Sequence, residues 1–112
     1  MNRYCFALDL IDDPVLIAEY EHWHAAENSW PEIKNSIREA GVAQMEIYRT
    51  GNRLFMIMDT YDWFNFDYKA AKDAANPDVQ EWEKLMWKYQ LALPWAKEGE
   101  KWVMMKEIFQ LT

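Results

Sequence analysis

Cysteine is nearly absent. Cys5 stands alone among 112 residues, so no disulfide can close within the chain; it reads as a small buried residue in a reducing, cytoplasmic setting. Glycine is scarce as well: Gly41, Gly51 and Gly99 are too few and too scattered to build a phosphate-cradling loop. Positive charge is in deficit, with 12 Lys and Arg against 19 Asp and Glu. The net charge of −7 sets up a field that repels nucleic-acid backbones and anionic membranes, so neither is expected as a partner. No apolar run approaches the roughly 20 residues of a membrane span, and MNRYCFALDLIDD reaches Asp9 before any signal-like stretch develops. The only histidines are His22 and His24. Two apart on a helix, they diverge by about 200° and cannot clamp one ion as an i, i+4 pair can, so no metal is expected.

Aromatic residues, by contrast, abound: 7 Trp, 6 Tyr and 5 Phe supply a well-filled core and raise the prospect of a ligand with an apolar face. The length fits a single domain over residues 1–112. RYCFALDL alternates Tyr4, Phe6, Leu8 and Leu10 against Cys5 and Ala7, the pattern of a strand. Asp13 and Pro14 then start a helix that ends near His24 or Asn28; a second segment, capped by Ser29 with Pro31 in its first turn, runs to Gly41. VAQMEIYRT and RLFMIMDTY read as strands around a Gly51–Asn52 turn. Residues 62–93 read as helical with a break at Asn76–Pro77–Asp78, and WVMMKEIFQL closes the chain as a strand.

The order strand, helix, strand, strand, helix, strand is the α+β, ferredoxin-like βαββαβ arrangement. Helices cover one sheet face, yet the first strand and RLFMIMDTY carry apolar side chains on both. A second copy of the chain, packed sheet to sheet about a twofold axis, is the economical cover, so a homodimer is expected.

The densest stretch is AEYEHWHAAENSWPEI, residues 18–33. At 100° per residue, Leu16, Tyr20, Trp23, His24 and Glu27 share a stripe, whereas Glu19, Glu21 and His22 point elsewhere. Core packing accounts for such a stripe. Alternatively, His24 exchanges protons near neutral pH with Tyr20 hydrogen-bonding alongside. Farther on, Trp82, Met86, Tyr89 and Leu93 form another stripe beside Glu83 and Trp87. Trp82 there could wall a pocket and Glu83 could bind hydroxyls, although a packed core and a solvated glutamate account for the same residues.

Over almost its full length, the chain resembles the L-rhamnose mutarotase family. The resemblance rests on RYCFALDL, on Tyr20 and His24 in Y-x-x-x-H, on SWPEI, AQMEIYR and LFMIM, and on Trp82-x-Lys84. It implies a dimeric α/β barrel that interconverts the α and β anomers of a 6-deoxy-L-sugar without a cofactor. It also implies that His24 is the catalytic acid and that Tyr20 contacts the sugar. Two substrate positions depart from the family pattern. Glu83 follows Trp82 where the family carries a second tryptophan, and Met45 replaces a sugar-contacting tyrosine. An acid in place of an indole suggests different hydroxyl stereochemistry, so L-fucose is expected ahead of L-rhamnose.

Mutarotation needs one proton removed from the anomeric hydroxyl and one delivered to the ring oxygen, so that the ring opens, rotates and recloses. His24 can serve as acid, with Tyr20, Glu27 and Glu83 as candidate bases. Two other functions share this architecture: a small dimeric monooxygenase acting on an aromatic or haem substrate, and a sugar-binding module without catalysis.

Overall fold

Strand β1 (Asn2–Leu10) leads into helices α1 (Pro14–His24) and α2 (Pro31–Glu39), and then the hairpin β2 (Val42–Thr50) and β3 (Arg53–Thr60). Helices α3 (Phe66–Ala75) and α4 (Pro77–Met86) precede two short strands, β4 (Gln90–Leu91) and β5 (Val103–Met104). This computed structural model describes residues 1–112. The sheet runs β2-β3-β1-β4 with every neighbour antiparallel, and β5 shares the outer edge of β1 with β4. That is the ferredoxin-like order expected from the sequence, with β1 and β3 central.

Local chemistry accounts for most element boundaries. The Asp13 side chain accepts from the backbone N–H groups of Val15 and Leu16, and Asn76 does the same for Asp78 and Val79, with Pro14 and Pro77 at the first helical positions. Helix α2 departs from expectation. Its N-cap is Trp30, which makes no side-chain cap, while the Ser29 hydroxyl turns back to donate to the Ala26 carbonyl. Gly51, the first central residue of the β2–β3 turn, has φ 56°, the left-handed value a tight hairpin asks of a glycine. Gly41 is constrained twice: its φ is 103°, and a Cβ there would lie 2.9 Å from the Trp63 ring.

Two further expectations are corrected beyond residue 86. Helix α4 stops at Met86, and the chain turns into β4 instead of remaining helical to residue 93. The edge of β1 decides this, because the Ile11 N–H donates to the Tyr89 carbonyl at 2.8 Å and Leu10 pairs with Gln90. The closing strand is also shorter than WVMMKEIFQL suggests. Only Val103 and Met104 form a ladder with β1, and Ile108, Phe109 and Leu111 lie exposed beyond it. Within this one chain the distal residues have no strand to pair with.

Register sorts the sheet faces. Tyr4, Phe6 and Leu8 oppose Met58, Met56 and Leu54 on the helix side, where Leu10, Tyr20, Leu54, Met86 and Tyr89 form the core. Cys5 and Ala7 oppose Ile57 and Phe55 on the other side. Cys5 is half-buried there, more open than the sequence suggested. Ion pairs Arg3–Asp59 at 2.8 Å and Arg53–Asp9 at 2.7 Å close this apolar strip at its two ends. The Arg3 guanidinium, by donating to Asp59, holds that carboxyl below its ordinary range. No helix is long and apolar enough to cross a membrane.

Candidate active site

Between the helices and the sheet lies a cavity of about 640 Å³, within the range of small-molecule sites. Its floor includes Met45, Ile47 and Met56 of the sheet, and its walls include Tyr20, His24, Trp30, Trp82 and Glu83. Tyr20, His24, Met45, Trp82 and Glu83, far apart in sequence, therefore share one space. Glu27 does not join them. Helix α1 ends at His24, so Glu27 falls in the following turn, exposed and away from the cavity. His22 also faces solvent, where its ring and carbonyl meet the Asn28 side chain.

The one-turn spacing of Tyr20 and His24 is realised as contact. Their rings lie 4.2 Å apart between centroids, and Tyr20 is only 3% exposed. His24 stands at the cavity mouth, open on one side and met on another by the edge-to-face indole of Trp82 at 5.4 Å. Trp30 packs against Trp82 at 5.1 Å, so an aromatic wall continues away from the imidazole. Trp23 belongs to the support: its indole N–H donates to the Tyr89 hydroxyl at 3.2 Å beneath the site.

His24 has a defined tautomer. Its Nδ1 lies 2.8 Å from the Tyr20 carbonyl, and a carbonyl only accepts, so the proton sits on Nδ1 and Nε2 carries the free lone pair. Loss of hydration lowers the His24 pKa below its ordinary 6.5, and the bond to the Tyr20 carbonyl offsets part of that shift. Burial pushes the Tyr20 phenol up to about 12, against a smaller opposing effect from the Gln90 amide beside it. At neutral pH the pair is thus a neutral imidazole with a basic nitrogen next to a phenol that keeps its proton. The arrangement suits simultaneous removal and delivery of protons on a bound hydroxylated molecule.

Three lining residues escaped sequence reasoning. Trp30 appeared only as part of SWPEI. Lys101, from the loop before β5, reaches the Glu83 carbonyl at 3.4 Å and lies over the Trp87 ring at 4.8 Å. Its burial lowers the ammonium pKa, against the attraction of Glu83. Gln90, 6% exposed, lines the cavity with a side-chain oxygen that no protein donor reaches. Its only sequence signal was one amide inside the apolar run Tyr89-Gln90-Leu91-Ala92-Leu93.

The family model described as L-rhamnose mutarotase matches residues 3–111. An L-fucose mutarotase of Xanthomonas campestris pv. campestris is 47% identical over 112 residues, covering 100% of this chain and 90% of that protein. A UPF0734 protein of Dictyostelium discoideum is 32% identical over 115 residues, covering 98% and 90%. Among solved structures, an L-rhamnose mutarotase from Formosa agariphila superposes with a TM-score of 0.72 at 20% identity, with 100% of both chains covered. Tetracenomycin F2 cyclase from Streptomyces glaucescens gives 0.65 at 20% identity, covering 100% of this chain and 98% of the cyclase. At that identity the last two speak to the fold alone, which serves both an isomerase and a polyketide cyclase.

Proposed function

The chain belongs to the L-rhamnose mutarotase family, and on that premise we propose that it interconverts the anomers of L-fucose in preference to those of L-rhamnose, with His24 and Tyr20 as the acid–base pair. A sugar mutarotase, an isomerase, is the activity that the family and the full-length relative have in common. The finer reading is carried by the site: a neutral imidazole, fixed through Nδ1, opens Nε2 to a cavity whose wall is Trp82 and Glu83. The 47% identity to an L-fucose mutarotase supports the sugar preference.

In ring opening, Nε2 of His24 takes the proton of the anomeric hydroxyl while the Tyr20 phenol supplies one to the ring oxygen. In closure the hydroxyl that attacks the carbonyl carbon returns its proton to the Tyr20 phenolate, and the imidazolium returns its own to the carbonyl oxygen. The acid role implied by resemblance is thereby the reverse half of one cycle, because each step runs in both directions. A base that deprotonates in water near neutrality suits the first task; for the second, the Tyr20 phenol carries its proton throughout the neutral range, although burial, by raising it to about 12, makes that proton harder to release. Trp82 offers its face to the sugar's methyl and ring carbons, and Glu83 accepts from ring hydroxyls. Met45 leaves an apolar floor where a hydroxyl contact is not made.

A homodimer in the cytoplasm completes the proposal. The strip of Cys5, Phe55 and Ile57 between two ion pairs supports it, as do the exposed apolar side chains at the carboxyl-terminal end. Saturation-transfer NMR with both sugars tests the preference. Exchange of L-fucose is expected to be the faster at equal protein concentration; equal or faster exchange of L-rhamnose refutes it.

A further inference from the structure

Four polar side chains are buried in this chain: Asp9, Ser36, Thr60 and Gln90. Three of them are satisfied internally. Asp9 accepts from the Arg53 guanidinium, Ser36 donates to the Ile33 carbonyl, and Thr60 donates to the Asn2 carbonyl. Gln90 is the exception, because its Oε1 has no donor. A buried carbonyl oxygen without a donor is uncommon in folded proteins and unfavourable.

Gln90 cannot easily turn away to correct this. Its backbone is held in β4 by pairing with Leu10, between the core residue Tyr89 and the solvent-facing Leu91. The side chain stands beside Tyr20 and lines the same cavity as His24, Trp82 and Glu83. A carboxamide can donate through its nitrogen and accept through its oxygen, so here the acceptor is the unused half. No group of the chain donates to that oxygen.

We propose that Gln90 is a specificity-determining residue, its Oε1 accepting a hydrogen bond from one ring hydroxyl of the bound sugar. This rests on the mutarotase reading of the same cavity. An acceptor fixed on a strand distinguishes epimers, since only the sugar whose hydroxyl points at it pairs the oxygen, and the other leaves it buried and unpaired. L-fucose and L-rhamnose differ in configuration at C2 and C4, so they are the natural pair to be sorted this way.

The test compares wild type with Gln90→Met, which keeps the length and apolar stem of the side chain and removes the amide, and with Gln90→Glu, which keeps an acceptor. Anomer exchange is measured for both sugars, together with tryptophan-fluorescence titration by each sugar and the thermal midpoint. Gln90→Met is expected to lower kcat/KM for the preferred sugar by about tenfold or more and to affect the other less, so that the preference collapses. Gln90→Glu is expected to retain it, and the midpoint of Gln90→Met is expected to stay level or rise. Equal losses for both sugars, or an unchanged preference in folded Gln90→Met, overturn the assignment while wild-type exchange leaves the mutarotase reading standing. Should wild type bind a sugar without accelerating exchange, and Gln90→Met weaken that binding selectively, the mutarotase reading falls and the Gln90 assignment survives.

Discussion

Tyr20 serves His24 twice over: its main-chain carbonyl accepts a hydrogen bond from Nδ1–H at 2.8 Å, and its ring lies 4.2 Å from the imidazole. One residue thereby sets both the tautomer and the orientation of the other. His24→Ala is expected to lower the enzymatic part of anomer exchange by about 10²-fold or more while the thermal midpoint changes little, since His24 sits at the cavity mouth. Unchanged exchange in that variant removes His24 from the chemistry. The pH profile carries the same information. With the His24 pKa below 6.5, exchange is expected to be level through neutrality and to fall as acid protonates Nε2. The linked stability has the same sign: the unfolded state binds the proton more readily, so the contribution is present above 6.5 and lost as pH falls through the lower folded value. A rate that climbs on acidification instead would give Nε2 the acid role from the outset.

Tyr20→Phe separates the phenol from the ring. The ring packs with His24 and with Tyr89 at 6.2 Å, and phenylalanine keeps those contacts. The expected outcome is a fall in kcat by about 10²-fold with KM nearly unchanged, read by exchange NMR over a range of sugar concentrations. A change confined to KM would make Tyr20 a binding residue only.

Glu83 stands where the family resemblance implies a second tryptophan, and it lines the cavity together with Trp82. Glu83→Trp is expected to move the L-fucose to L-rhamnose ratio of kcat/KM toward L-rhamnose by about tenfold, the scale of one charge-assisted hydrogen bond gained or lost. Competition between the two sugars in one NMR sample gives the ratio directly. If it stays fixed, the preference originates elsewhere in the cavity.

Ile57 lies at the centre of the uncovered sheet face, opposite Cys5. Light scattering is expected to report a dimer for wild type, and Ile57→Asp to give monomeric, unstable or aggregated protein, because a charge there would be desolvated on association. A well-folded variant of unaltered oligomeric state argues that this face is not the interface.

The parts of the fold written in local pattern were legible. Alternation gave β1 and the β2–β3 hairpin, while Asp13 and Pro14 marked a helix start and Asn76 and Pro77 a break that proves to be the start of α4, because caps and pleats act within a few residues. Tyr20 and His24 emerged for the same reason, one helical turn being a local relation. What escaped was set at long range. Residues 87–93 carry a helical stripe, but the free edge of β1 draws Gln90 and Leu91 into a strand. Glu27 fitted the stripe on paper only because the helix was extended past His24. Lys101 is 18 residues from the carbonyl it reaches, and nothing near it in sequence announces the contact.

His24 is the final residue of α1, and that address bears on what happens during turnover as much as at rest. The unpaired carbonyls of a helix end carry partial negative charge. A cation formed briefly on the imidazole thus arises where the peptide dipoles favour it, although the surrounding side chains hold the resting ring neutral. On the proposed reading, partial loss of hydration keeps the base ready, and the helix terminus steadies the charge it acquires. In the proposed cycle, one short helix acts as a spring-loaded proton post: empty between visits, and braced from behind whenever it is filled.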